Sequence, residues 1–331
     1  MKTFIRSCFF IVVAGLLAVV LVDVRQVAAQ QAPSPPLQAS PSLQAAPPPP
    51  VSPPPMVYSP FINFKAKYDQ WLAMVHRTHE EEQPDWMTPL VTVIPTLQQE
   101  IRTDYGFAFA PHGLQTFTYA SKGTEIIPTE NTEVIFGNPS YITKNLPADK
   151  PTSGFADWPF LVKYRLLSSP SDAGNYVLTL MLSSSFAIGS TSFVSENHDL
   201  FSPLIGFGKG IVTKYGEFDY QATIGPTIPD GQTNTLGTPI VWNSAFQYGH
   251  RFDLGGWVVP LWPEFETMWV AYPNGDNRGQ QQLYLTPGLI AGRFKLSEHT
   301  YFVLGAGLQF AATQARSFNH QWLVTMRIPY F

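Results

Sequence analysis

From Leu90 to the C-terminus the apolar residues recur at every second position, and that period governs what the chain can build. The closing stretch, His320 to Phe331, shows it most plainly. Trp322, Val324, Met326, Ile328 and Tyr330 share one parity, while Gln321, Thr325 and Arg327 share the other with Leu323 and Pro329. Successive side chains of a strand point to opposite faces, so such a stretch has one apolar face and one mostly polar face. Phe331 falls out of phase, which a bulge near Pro329 would correct. The same period predicts strands at about 91–104, 113–120, 123–136, 154–167, 175–188, 203–213, 217–226, 238–249, 256–270, 282–294, 300–312 and 320–331, twelve within a range of 10–14. Most approach the 9–11 residues of a tilted membrane strand and exceed the 5–6 typical of soluble sheets.

The connections alternate as well. Segments 138–153, 189–202, 227–237, 271–281 and 313–319 are long or polar. Those around Ser168 to Gly174, Lys214 to Gly216, His250 to Gly255 and Lys295 to His299 are mostly shorter. Long loops at one end and short turns at the other characterise an up-and-down antiparallel barrel in an outer membrane, and an even strand count puts both termini at the short-turn, periplasmic end. A sandwich does not need that alternation, and no blade repeat occurs.

Composition agrees. Charged residues make up 13% of the chain and aromatics 14%, which fits apolar surface facing lipid and aromatic girdles at its borders. Beyond the N-terminus no run of 18 apolar residues occurs, which excludes a helical membrane protein. The single cysteine, Cys8, excludes a disulfide framework or a thiolate metal site.

The N-terminus is organised differently. Lys2 and Arg6, the apolar run Cys8 to Val22, and Val27-Ala28-Ala29 read as a signal peptide over 1–29. Its removal leaves 17 basic against 23 acidic residues, a balance that does not suggest nucleic-acid binding. Residues 30–60 are rich in Pro, Ala, Ser and Gln and favour polyproline II, either as a periplasmic arm reaching peptidoglycan or a periplasmic protein, or as a plain spacer. Within 61–88, Phe64, Tyr68, Trp71, Leu72 and Val75 recur at helical spacing and predict an amphipathic helix over 64–82 capped by Asn63. That helix would lie on the membrane surface, block the barrel's mouth or pack beneath it. The barrel is then expected over 89–331.

With the apolar parity facing lipid, the other parity faces the lumen. The first strand puts Val91, Val93, Pro95, Leu97 and Ile101 outward, with Gln98, Glu100, Arg102 and Asp104 inward. Further along, Lys163, Arg165, Asp219, Asn243, Gln247, Glu264, Glu266, Gln309 and Arg327 also point inward. Closure pairs the first and last strands and brings Glu100 and Arg102 near Arg327. Such a lumen either coats a narrow selective pore or pairs its charges across a plugged barrel.

Catalytic and metal chemistry have little support. Ser195-Glu196-Asn197-His198-Asp199 offers the residue types of a triad, but neighbours in sequence rarely point at one another. His76 and His79 lack a third ligand. Gly206, Gly208 and Gly210 open no helix, so they make no phosphate loop. No cofactor is expected.

The closing strand with its terminal aromatic resembles those of Gram-negative outer-membrane β-barrels. Over about 88–331, Lys122-Gly123-Thr124-Glu125-Ile126-Ile127-Pro128, Thr238-Pro239-Ile240-Val241-Trp242-Asn243, Trp262-Pro263-Glu264-Phe265-Glu266 and the closing strand resemble channel and transporter barrels grouped with the MetA-pathway phenol-degradation family. The resemblance implies insertion by the barrel-assembly machinery through the C-terminal strand, contact with outer-membrane lipid and lipopolysaccharide, and passage of small solutes. It carries no catalytic residues. The expected function is a narrow passive channel for small, hydrophobic or aromatic solutes. The alternatives are a structural or adhesive barrel acting through its loops and arm, and a lipid-modifying barrel enzyme.

Overall fold

The structure, a computed structural model, describes residues 60–146, 150–190, 194–253 and 258–331. The expected signal peptide with Cys8, and the Pro-rich segment up to Ser59, lie outside them. Helix α1, Pro60–Glu80, begins before Asn63, which therefore sits in its first turn rather than at its cap. Strands follow as β1 (Glu100–Phe109), β2 (Gln115–Thr129), β3 (Thr132–Gly137, continued by Tyr141–Asn145) and β4 (Thr152–Phe155, continued by Trp158–Ser169). Then come β5 (Tyr176–Phe186), β6 (Leu200–Thr213), β7 (Gly216–Pro226) and β8 (Ile240–Asp253). The last are β9 (Val258–Ala271), β10 (Gln281–Ser297), β11 (Thr300–Ala311) and β12 (His320–Pro329).

Each strand pairs antiparallel with its neighbours in sequence, and β1 also pairs with β12, placing Ile101 opposite Ile328 and Arg102 opposite Arg327. The sheet is therefore a closed twelve-strand barrel. Closure leaves the barrel ladder without a free edge among the described residues, apart from the extension Thr152–Phe155, which pairs on one side. Glu100 pairs with Pro329, so the start of β1 and the end of β12 share an end of the barrel with the short turns Glu130–Asn131 and Lys214–Tyr215. The longer connections, such as 187–199, 227–239 and 272–280, lie at the other end.

The exterior follows the parity of the sequence. On β12, Trp322, Val324, Met326 and Ile328 are between 38% and 54% exposed, whereas Thr325 and Arg327 are buried. Phe265 on β9 and Phe246 on β8 are exposed beside buried Glu264, Glu266 and Gln247. Apolar out and polar in is the reverse of a water-soluble sheet packed on a core, and it suits lipid outside. Aromatic rings pack side by side on this outer face, as in Phe107 on Phe117, Tyr141 on Phe155 and Phe218 on Tyr248.

Three expectations need correction. Residues 91–99 are not strand: β1 begins at Glu100, and Pro95 and Leu97, expected outside, are buried with Ile94. The dipeptide Ser121-Lys122 is not a turn between two strands. It lies inside β2, where Ala120 and Lys122 have positive φ, and the pairing with β1 shifts register between Asp104 and Gly106. A bulge takes up such an extra residue without ending the strand. The chain reverses instead at Glu130–Asn131, and residues expected in the loop 138–153 resume pairing with β2 at Tyr141–Asn145. Finally, no further pairing brings Phe331 into outward phase. Regular strand stops at Pro329, and Phe331 turns inside, where its ring stacks on His79 at 4.0 Å and on Tyr301 at 5.5 Å.

The outer face makes a direct prediction. Val324→Arg puts a cation on the lipid side of mid-β12, and a charge there costs about 2–4 kcal/mol near the bilayer midplane. Urea titration of the refolded barrel in lipid vesicles should show a loss of that size.

Candidate functional site

The interior is filled by the chain itself. After α1, residues 81–99 run as irregular backbone inside the barrel, and nearly all of Gln83 to Gln99 is buried. Pro84, Pro89 and Pro95 exclude a regular helix or a ladder strand over this stretch. Irregular backbone in a closed space needs partners for its peptide groups. The inward side chains of the wall supply many of them.

At the centre, Glu266 accepts the amides of Val91 at 2.8 Å and Thr92 at 2.6 Å. Glu264 accepts the Leu90 amide at 3.3 Å and the Gln247 side chain at 2.6 Å. Arg102 donates to the Leu90 carbonyl at 2.7 Å and pairs with Asp104 at 2.8 Å. Arg327 donates to the carbonyls of Thr88 and, at 2.9 Å, Pro89. Asp104 also accepts the Thr325 hydroxyl. Further round the wall, buried Lys163 pairs with Glu133 at 2.9 Å and donates to the Thr96 carbonyl. Glu133 accepts the Gln98 amide, the Thr179 hydroxyl donates to the Pro95 carbonyl, and Gln221 donates to the Met87 carbonyl. Arg165 holds Glu82 at 2.8 Å where the segment enters, beside a cavity of about 360 Å³ that Asn131 and Ser168 also line.

Apolar contacts fix the segment in register. Leu90 and Met87 pack on Ile290 and Val303 with Val91 and Trp262, and Trp86 and Ile94 pack on Val177. A Cβ added at Gly288, Gly305 or Gly307 would come within 2.6–2.9 Å of the Leu90 side chain. Those glycines are a pit in the wall that receives it. Gly208 likewise leaves room for the Trp86 ring, whose N–H donates to Asn175 at 2.8 Å.

Of the residues expected inside, Gln98 lies on the segment and not on a strand, where its amide nitrogen donates to Thr96. Glu100, Arg102, Lys163, Arg165, Asp219, Gln247, Glu264, Glu266, Gln309 and Arg327 are buried on strands. Asp104 is mostly buried and Asn243 half-buried. Asp219 accepts from Gln221, and Gln309 accepts from Gln321, at 2.7 Å each. Sequence reasoning passed over Glu133 and Asn175. Glu133 alternates with outward Val134 and Phe136, so its parity alone would have placed it inside.

Beneath the segment, α1 closes the short-turn end. Val75 is fully buried with Leu97, Ile127 and Phe331, and the Trp71 indole donates to the Ile127 carbonyl at 2.8 Å. Of the placements considered for the helix, its C-terminal half thus packs into the barrel mouth, while Phe64 and Tyr68 on its N-terminal half stay exposed. His79 is buried with Nδ1 3.7 Å from the Asp85 carboxylate, beyond hydrogen-bonding reach. Burial outweighs Asp85, with Arg293 opposing protonation too, and lowers its pKa to about 4.

The other sequence candidates do not converge. The Ser195 hydroxyl donates to Asp157 at 2.6 Å, while His198 lies 3.8 Å from Asp230, so no Ser-His pair forms. Half-exposed His76 pairs with Glu80, apart from buried His79. Among the described residues no group of three or more His, Cys, Asp or Glu could hold a metal ion.

Two predictions follow from these contacts. Glu266→Ala should speed hydrogen exchange at the Val91 and Thr92 amides at least tenfold over wild type while leaving strand amides protected, since charge-assisted bonds contribute about 1.5–3 kcal/mol each. His79 has a folded pKa below its free value of about 6.5, so the unfolded or undocked helix takes the proton first and docking weakens as pH falls from about 6.5 to 4. The loss over that window reaches about 3 kcal/mol. Trp71 fluorescence should report undocking in acid, and His79→Phe should remove the dependence.

No family model and no curated protein matches the sequence. Among solved structures, an outer membrane channel from Pseudomonas putida F1 is 12% identical, covering 74% of this chain and 99% of that one at a TM-score of 0.45. The β domain of the Bordetella autotransporter BrkA is also 12% identical, covering 70% of this chain and 98% of that one at a TM-score of 0.40. The sheet's own closure, its apolar outside and its polar inside make this chain a twelve-strand antiparallel β-barrel of the outer-membrane type.

Proposed function

We propose that the protein is a gated channel in the outer membrane of a Gram-negative bacterium, closed at rest by residues 81–99 and open to small solutes when that segment leaves. The supporting observation is how the segment is held. The wall's charged side chains bond chiefly to its main chain, through Glu264, Glu266, Arg102 and Arg327, and the segment is continuous with the wall only at Glu100. A core meant only for rigidity is built more cheaply from apolar side chains, because buried charges lose hydration that pairing only partly restores. Once the segment is gone, the same groups would coat a polar path. The entrance for withdrawal is the short-turn end, where α1 and the N-terminal arm connect. On this reading solutes are selected by charge and by the apolar pit, and the protein has no catalytic role.

Planar-bilayer conductance of the mature full chain tests this. Leu90→Gly, which empties the pit, should raise open events at least several-fold. Pro95→Cys with Gly206→Cys should lock the segment: a Cβ at Gly206 lies 3.2 Å from Pro95 Cβ, near the ~3.8 Å usual in disulfides. Oxidation should then silence the channel and reduction restore it. Silence from every form, with an intact barrel by heat-modifiable electrophoresis, would sink the channel reading in favour of the structural one.

A further inference from the structure

We infer that the wall around Leu90 is a binding site for short apolar peptides, occupied in the closed state by the chain's own residues 88–92. The inference rests on the gated reading, because the site becomes free only when the segment is displaced. It adds the chemical class of what the freed wall would take.

The bonds from the wall to residues 88–92 read backbone. Arg327 takes the carbonyls of Thr88 and Pro89, and Arg102 takes that of Leu90. Glu264 takes the amide of Leu90, and Glu266 takes those of Val91 and Thr92. Two cations thus bind three consecutive carbonyls, and two anions bind three consecutive amides. That order of acceptors then donors, spaced along one chain, matches a peptide. A lone anion or cation would meet only one half of that array of donors and acceptors.

One side chain is read by shape. Leu90 fills the pit formed by Gly288, Gly305 and Gly307 with Ile290, Val303 and Trp262 around it. A side chain at any of the three glycines would clash with Leu90, so the pit is sized for a branched aliphatic residue. The Thr92 hydroxyl is buried with no partner, so the wall does not read that group by hydrogen bonding. Backbone clamps with one specificity pocket are the general logic of peptide recognition by extended segments.

The test uses the mature full chain in micelles and a fluorescent, end-blocked pentapeptide of sequence Thr-Pro-Leu-Val-Thr, followed by anisotropy. Wild type should bind weakly, because its tethered copy competes. Leu90→Gly should bind at least tenfold more tightly. In that background Glu264→Gln or Gly307→Val, or Gly in place of Leu in the peptide, should each reverse the gain. A second variant with Pro89, Leu90 and Val91 all changed to Gly guards against a segment that stays seated. Absence of saturable binding by both, with heat-modifiable barrels, overturns the site. So does binding indifferent to Gly307→Val and to the Leu-to-Gly peptide. Conductance of the same samples separates the two readings: open channels that ignore the peptide overturn the site alone, and silent barrels that bind it overturn the channel alone.

Discussion

Everything inside this barrel depends on one constraint: a stretch of chain without regular structure has been taken out of water, and its peptide groups must be satisfied by side chains. The closed sheet cannot help, because its own amides and carbonyls are spent between strands. Glu264, Glu266, Arg102, Arg327 and Lys163 meet the need, and each of them bonds to main chain of residues 88–96. Their charges look extravagant on a strand. They make sense as strong donors and acceptors for a segment that offers only backbone.

That arrangement links fold to function through burial. Segment and wall each lack a complete core, and the clusters around Leu90, Trp86 and Leu97 exist only when the two are combined. The barrel closes through its own ladder, in which residues 81–98 take no part. Such a division puts the ladder at the high end of local stability and the filler at the low end, which is where moving parts of proteins are found.

The outer surface was legible in the sequence because lipid imposes a simple rule on alternate residues. Trp322 to Ile328 and Phe265 show it, and so does the inward set from Lys163 to Arg327. The interior was not legible in the same way. Val91, Val93, Pro95 and Leu97 alternate like a strand, yet Pro95 cannot donate to a ladder, and the partners that capture this stretch lie far along the chain, such as Thr179 and Glu266. Ser121-Lys122-Gly123 has the composition of a turn, and only the partner strands determine that it is a bulge. Local pattern reports which face a residue takes. It does not report which distant segment will occupy the space behind it.

The position of Phe331 carries a consequence for the order of events during folding. Its ring lies between Tyr301 and His79, and its backbone amide is bonded to His299. Helix α1 therefore docks on a surface that includes a residue beyond the final strand, far along the chain from the helix itself. A contact of such sequence separation carries a large loop-closure cost and forms late. Helix α1 can complete that contact only once β12 is in place between β1 and β11. The sequence separation thus favours a wall that closes before its mouth is stoppered.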